Sequence, residues 1–136
     1  GIQDKTIAEN TQKVVKNWGG NFKVEFTQSW RKTIQDYRAK KFKIIHLTMY
    51  GLQLEKEIGK MQKMKKILVV IGSQKVEKEV YEQADYNISI TNQPHSEIAA
   101  LAVFLHDLFK SKTKKFKNPK IEITPSDRKK IIHIKK

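Results

Sequence analysis

The chain has 136 residues, with 28 Lys or Arg against 14 Asp or Glu, which gives a formal net charge of +14 and an isoelectric point near 9.9. This length suits one domain, and no apolar run approaches the roughly 18 residues that a membrane-spanning helix needs. The absence of cysteine excludes disulfides, a thiol nucleophile and Cys-ligated metals. We expect a reducing, cytoplasmic location, and a processed or incomplete chain because the first residue is Gly1 rather than Met.

The apolar spacing predicts helices and short strands in alternation. In chain order these are a helix ending at Trp18 before Gly19, a strand at 22–26, a helix from Trp30, a strand at 43–47, a central strand buried on both faces at 67–71, a helix at 76–84, a strand at 86–90 and a helix from Ser96. Such alternation is typical of an α/β fold with a mostly parallel sheet and helices on both faces.

Positive charge is concentrated at the C-terminus. Residues 110–136 hold eleven Lys or Arg and two acids, so a polyanion-binding surface is expected mainly there. From charge alone, RNA binding and a solvated Lys-rich tail explain this segment equally well. Two short β-type runs at 121–123 and 131–134 predict a basic hairpin within a C-terminal extension at residues 111–136.

Three loops follow predicted strands directly, at residues 48–51, 72–75 and 91–95. Ligands of doubly wound sheets bind outside the carboxyl ends of the strands, so these loops form the candidate site. Gly51 and Gly72 permit close approach, and Asn92, Gln93 and Ser96 offer directional hydrogen bonds, which suits an adenine or a ribose better than a pyrophosphate. Each also has a purely structural explanation, as a strand end, a turn or a helix cap.

Other chemistries lack their sequence motifs. The four histidines, His46, His95, His106 and His133, include no i, i+4 pair, so we predict no metal site. His46, inside a predicted strand, is expected to be a core histidine rather than a catalyst. There is no Gly-x-Ser-x-Gly nucleophile elbow, no two-glycine phosphate loop and no Gly-x-Gly-x-x-Gly dinucleotide motif.

Three strings carry a family resemblance: HLTMYGL at 46–52, IGSQKV at 71–76, and NQPHSE at 92–97 followed by the apolar run IAALAVFL. In this order and spacing, the chain resembles the archaeal tRNA (cytidine-56) 2′-O-methyltransferases of the SPOUT superfamily. The resemblance covers nearly the whole chain. One departure is Glu77, where that family usually has proline.

The resemblance implies a single SPOUT methyltransferase domain over residues 1–136 with a C-terminal trefoil knot. It implies that S-adenosylmethionine (SAM) binds in the knot against the following residues: Leu47, Ile71, Gly72, Ser73, Gln74, Lys75, Ile90, Thr91, Asn92, Gln93, Pro94, His95 and Ser96. It implies tRNA as substrate, with no metal and no membrane. A homodimer would form through the helix at residues 96–109, whose eight consecutive apolar residues predict burial on more than one side.

The resemblance also implies an N-terminal strand and an Arg-rich motif that this chain lacks, and the expected catalytic Arg lies in that motif. Asn92 and Ser96 are candidate helpers at the methyl-transfer end, and Arg31, Lys32, Arg38 and residues 110–136 are candidate phosphate contacts. Two alternatives stay open at this point. One is a non-catalytic, basic RNA-binding α/β module, and the other is a SPOUT enzyme that methylates an RNA base.

Overall fold

The computed structural model describes residues 5–72, 76–112 and 114–136. The helices and strands, in chain order, are α1 Lys5–Trp18, α2 Trp30–Ala39, β1 Lys43–Gln53, α3 Leu54–Gln62, β2 Ile67–Ile71, α4 Lys78–Gln83, β3 Tyr86–Ser89, α5 Glu97–Leu108, β4 Ile121–Thr124 and β5 Ile131–Ile134. Two compact units contain them. Residues 29–113 form one, and residues 1–28 with 114–136 form the other.

A three-stranded parallel sheet organises the unit of residues 29–113. Its strand order is β2-β1-β3, which confirms the predicted parallel α/β class. The prediction that Ile67–Ile71 is the central strand is wrong, because β1 lies between β2 and β3. The four consecutive residues Ile44 to Leu47 are buried, whereas every residue of β2 is partly or fully exposed. An uninterrupted β-branched run therefore does not distinguish an edge strand from a central one.

Strand β1 is interrupted in its pairing with β3. Leu47 and Leu52 both lie opposite Ile88, so the four residues between them leave the regular register. The sequence predicts that this strand ends before Thr48, but the chain instead makes an excursion at residues 48–51 and returns to the same partner. Gly51 closes the excursion, because a Cβ there would collide with the backbone of Asn87 and Ile88.

Helices cover both faces of this sheet. Successive side chains of a strand point to opposite faces, so Ile45 and Leu47 enter a core that Phe104 and Ala100 of α5 and Met61 of α3 complete. On the other face, Tyr81 of α4 packs edge-to-face on His46, with ring centroids 4.8 Å apart. The Ser96 side chain caps α5 by accepting a hydrogen bond from the Ala99 N–H, at 3.0 Å.

The unit of residues 1–28 and 114–136 contains α1 and an antiparallel pair of strands, β4 and β5. Helix α1 has the predicted end at Trp18, and Gly19 and Gly20 follow with positive φ angles of 88° and 96°. The predicted strand at residues 22–26 is wrong. That segment has no regular secondary structure, and Phe22 is 66% exposed. Alternation supplies only one face of a strand, and no other described segment pairs with this one.

Candidate functional site

A cavity of about 370 Å³ opens where β1 and β2 end. Its lining joins all three predicted loops and adds residues of the flanking strand and helices: His46, Leu47, Thr48, Met49, Tyr50, Gly72, Val76, Tyr81, Pro94, His95, Glu97 and Ala100. We call it the strand-end cavity. Four of the predicted cofactor residues, Leu47, Gly72, Pro94 and His95, therefore share one concave surface. Its volume lies in the range of small-molecule sites.

The other predicted cofactor residues are distributed differently. Four consecutive residues of the predicted set line a second cavity, of about 480 Å³, between the end of β3 and α5: Ile90, Thr91, Asn92 and Gln93. Ile71 is 39% exposed at the end of β2. Ser96 serves as the cap of α5. Ser73, Gln74 and Lys75 lie outside the described residues.

Asn92 ties the segment after β3 to the excursion in β1. Its amide nitrogen donates to the Met49 carbonyl at 2.7 Å, and it lies 3.1 Å from the Ser89 hydroxyl and 3.4 Å from the Gly51 carbonyl. The Met49 side of this contact belongs to the strand-end cavity. Asn92 therefore holds together the walls of the two cavities, which is a positioning task already visible in the fold.

His46 lies at the inner end of the strand-end cavity and is fully buried. Its ring Nδ1 lies 2.9 Å from the side-chain oxygen of Asn87, and the Asn87 amide nitrogen donates to the Tyr81 carbonyl at 3.0 Å. The Tyr81 hydroxyl lies 2.9 Å from that of Thr48. Burial lowers the pKa of His46 below its ordinary value of 6.5, and the hydrogen bond to Asn87 opposes that effect.

Sequence reasoning missed Tyr81 and Glu97 as lining residues. Tyr81 was assigned only to the apolar face of its helix, together with Val80. The signal that could have revealed it is the phenol itself, because a Tyr facing a core usually finds a hydrogen-bond partner for its hydroxyl. Here that partner is Thr48, inside the motif that the sequence had already singled out.

Two of the candidate phosphate contacts are engaged within the protein. Arg31 forms ion pairs with Glu77 and Glu79 at 2.8 and 2.7 Å and lies over the Trp30 ring. Arg38 donates to the side chain and the carbonyl of Gln83. These contacts fasten α2 to the region of α4, so the two arginines act first as structural residues. Glu77, where the related family has proline, takes part in this pairing.

Metal ligation has no support in the described parts of the chain. Residues 5–72, 76–112 and 114–136 contain no group of three His, Cys, Asp or Glu side chains that could hold an ion. Within the same residues, no helix is long and apolar enough to cross a membrane.

Comparison with known proteins assigns the family. The sequence pattern of the family described as "tRNA ribose 2'-O-methyltransferase, aTrm56" matches residues 18–133. The chain belongs to this family. A tRNA (cytidine(56)-2'-O)-methyltransferase of Methanocaldococcus jannaschii is 46% identical over 135 residues, which cover 96% of this chain and 75% of that protein. The Pyrococcus horikoshii protein of the same name is 45% identical over 97% of this chain and 67% of its own length.

One solved structure resembles this member of the aTrm56 family at a low level. It is Nep1 of Archaeoglobus fulgidus bound to S-adenosylhomocysteine, with a TM-score of 0.49 and 9% identity over 78% of this chain and 49% of that one. A likeness of this size does not define the fold. The family assignment therefore rests on sequence, and all three strings that suggested it lie within the matched residues 18–133.

Proposed function

We propose that this aTrm56-family chain transfers the methyl group of SAM to the ribose 2′-hydroxyl of cytidine 56 in tRNA. The 2′-oxygen forms a bond to the methyl carbon as the bond from that carbon to sulfur breaks, so the sulfonium becomes a thioether and a base takes the hydroxyl proton. The family match and the names of the relatives support ribose methylation over methylation of a base and over a non-catalytic module.

The observation that carries this proposal is the strand-end cavity, which brings parts of all three family strings together. Leu47 ends the first string's strand, Gly72 follows the second strand, and Pro94 and His95 belong to the third string. The cavity can take a nucleoside by volume, and its buried His46 ring nitrogen has no protein partner among the described residues. SAM supplies an activated methyl group when it is bound, and the residues of this chain hold and orient it.

The proposal extends to the path of the chain and to a second copy. We infer a trefoil knot, supported by the family and by the Asn92 contacts that join the segment after β3 to the excursion of β1. We infer a homodimer through the helix at residues 96–109, because α5 buries Ala100 and Phe104 in its own core yet leaves Ile98 77% and Val103 43% exposed. An apolar face of this kind favours an interface.

We also propose that the C-terminal extension binds tRNA phosphates. Its lysines lie on exposed positions around the β4–β5 pair, whereas Arg31 and Arg38 are already engaged within the protein. Because lysine contacts to phosphate release counterions without reading sequence, they supply affinity rather than specificity. Choice of the nucleotide must come from the shape of the folded tRNA and from an extruded base.

The test is methyl transfer from labelled SAM to an unmodified tRNA transcript, followed by alkaline digestion. Alkali cannot cleave 3′ of a 2′-O-methylated ribose, so the product should contain one resistant dinucleotide that begins at position 56. A transcript with 2′-deoxycytidine at position 56 is the matched control and should accept no label. Label found in an alkali-sensitive nucleotide would replace ribose methylation with base methylation, and no incorporation would refute the proposal.

A pair of glycine variants links the activity to the cavity. In Gly72→Val, the new side chain would enter the cavity lining and collide with the Val76 side chain. We expect SAM binding, measured by calorimetry, to weaken at least tenfold. Gly59→Ala is the control, because nothing lies within 4 Å of a Cβ at that exposed helical position. Equal SAM affinities in the two variants would remove the strand-end cavity from the proposal.

A further inference from the structure

The ring of His46 presents one nitrogen that the fold does not use. Nδ1 is paired with Asn87, whereas Nε2 is buried without a hydrogen-bond partner among the described residues. A buried polar group without a partner typically costs about 1–3 kcal/mol. His46 is completely buried yet belongs to the lining of the strand-end cavity, so the unused atom lies where a ligand would end.

The hydrogen-bond network fixes which ring nitrogen carries the proton. The Tyr81 carbonyl can only accept, so the Asn87 amide nitrogen must face it, and the Asn87 oxygen must face His46. That oxygen in turn requires a proton on His46 Nδ1. In the neutral ring, Nε2 is therefore an unprotonated acceptor. Protonation would place a buried N–H donor at the same point without an acceptor among the described residues, so the cavity favours the neutral ring.

We propose that His46 Nε2 accepts a hydrogen bond from an N–H or O–H donor on the nucleoside part of the ligand in the strand-end cavity. The adenine amino group and a ribose hydroxyl share this chemistry. Asn87 and Tyr81 are positioning residues, because they hold the tautomer and the plane of the ring. This assignment rests on the proposed function and adds the cofactor contact of a residue that sequence reasoning treated as part of the core.

Nitrogen NMR of the histidine rings tests the proposal directly. The probe is S-adenosylhomocysteine, added to the ¹⁵N-histidine-labelled full chain. The free protein should show His46 as the neutral, Nδ1-protonated tautomer, and the ligand should shift its Nε2 signal upfield, as expected when an acceptor gains a hydrogen bond. His106 and His133, which are exposed, serve as internal controls and should not move.

Binding measurements identify the donor. His46→Phe keeps an aromatic ring against Tyr81 but removes the acceptor, and we expect affinity for S-adenosylhomocysteine to fall about tenfold, the loss of one buried hydrogen bond. His133→Phe, in the other compact unit, should bind like the wild type. S-Inosylhomocysteine, without the adenine amino group, should lose the same factor only if that group is the donor. The 2′- and 3′-deoxyribose analogues test the hydroxyls in the same way.

The outcomes separate this inference from the proposed function. If S-adenosylhomocysteine binds while the Nε2 signal stays fixed and His46→Phe binds normally, the atom faces only a buried water and the inference is wrong, although the methyl-transfer proposal stands. If the Asn87-paired nitrogen proves unprotonated, the tautomer argument fails as well. If the wild-type chain does not bind the ligand at all, both proposals fail. Thermal melting of each variant reports whether it has kept its fold.

Discussion

Two glycines in the same unit should respond to alanine with opposite signs. At Gly51, a Cβ would meet the carbonyl group of Asn87 and the amide nitrogen of Ile88, which are backbone atoms of β3. Backbone cannot move aside as a side-chain tip can, so β1 or β3 must shift where they pair. Overpacking of this kind typically costs about 1–3 kcal/mol, and we expect Gly51→Ala to lose that much free energy of unfolding.

Gly59 provides the matched control within α3. Nothing lies within 4 Å of its Cβ position, and its backbone is helical. Alanine in a helix interior is more favourable than glycine by about 0.5–1 kcal/mol, so Gly59→Ala should be more stable than the wild type. Urea unfolding, followed by circular dichroism, measures both. A Gly51→Ala protein as stable as Gly59→Ala would show that the excursion of β1 does not press on β3.

The remaining predictions concern charge. Because the pKa of His46 is lowered in the fold, the unfolded chain binds more protons below pH 6.5, so stability should fall with decreasing pH by at most about 1.4 kcal/mol per unit; His46→Phe should flatten that slope, and equal slopes would contradict it. Ala100→Glu buries an unpaired charge in the core and should prevent folding, whereas Val103→Glu should only separate the dimer on sizing chromatography; a folded Ala100→Glu protein would refute the core placement. Alanine at three exposed lysines should reduce the salt dependence of tRNA binding by about 0.7 per lost contact, and an unchanged slope would exclude the extension: Lys115, Lys129 and Lys130.

Local pattern predicted most elements because each depends on neighbouring residues. Periodic apolar positions gave α1 its end at Trp18, and the alternation at 43–47 and 86–90 gave two of the three parallel strands. What failed depends on partners distant in sequence. Residues 22–26 alternate like a strand yet pair with no described segment, and Ile67–Ile71 has a core-like composition yet lies at the sheet edge. Neither the absence of a partner nor an edge position leaves a mark on a local pattern.

The candidate site shows the same limit. Strand ends identified Leu47, Gly72 and His95, which the fold brings to one cavity, but could not show that Asn92 spends its amide nitrogen on the carbonyls of β1. The histidine dismissed as a core residue is indeed buried, and that burial is what leaves its second nitrogen without a partner among the described residues.

Structural and ligand-binding interpretations of His46 are therefore not exclusive. Its Nδ1 belongs to the fold, through Asn87, and its Nε2 belongs to the cavity. A fold that only needed to fill this position could use a leucine at no polar cost, because the ring contributes no second hydrogen bond to the described chain. An imidazole with one nitrogen committed and the other bare has a fixed orientation and a fixed tautomer, so a nucleoside donor entering the cavity meets an acceptor that needs no rearrangement. Such preorganisation lowers the entropic cost of binding, and this is why the acceptor is better placed on the central strand β1 than on a loop.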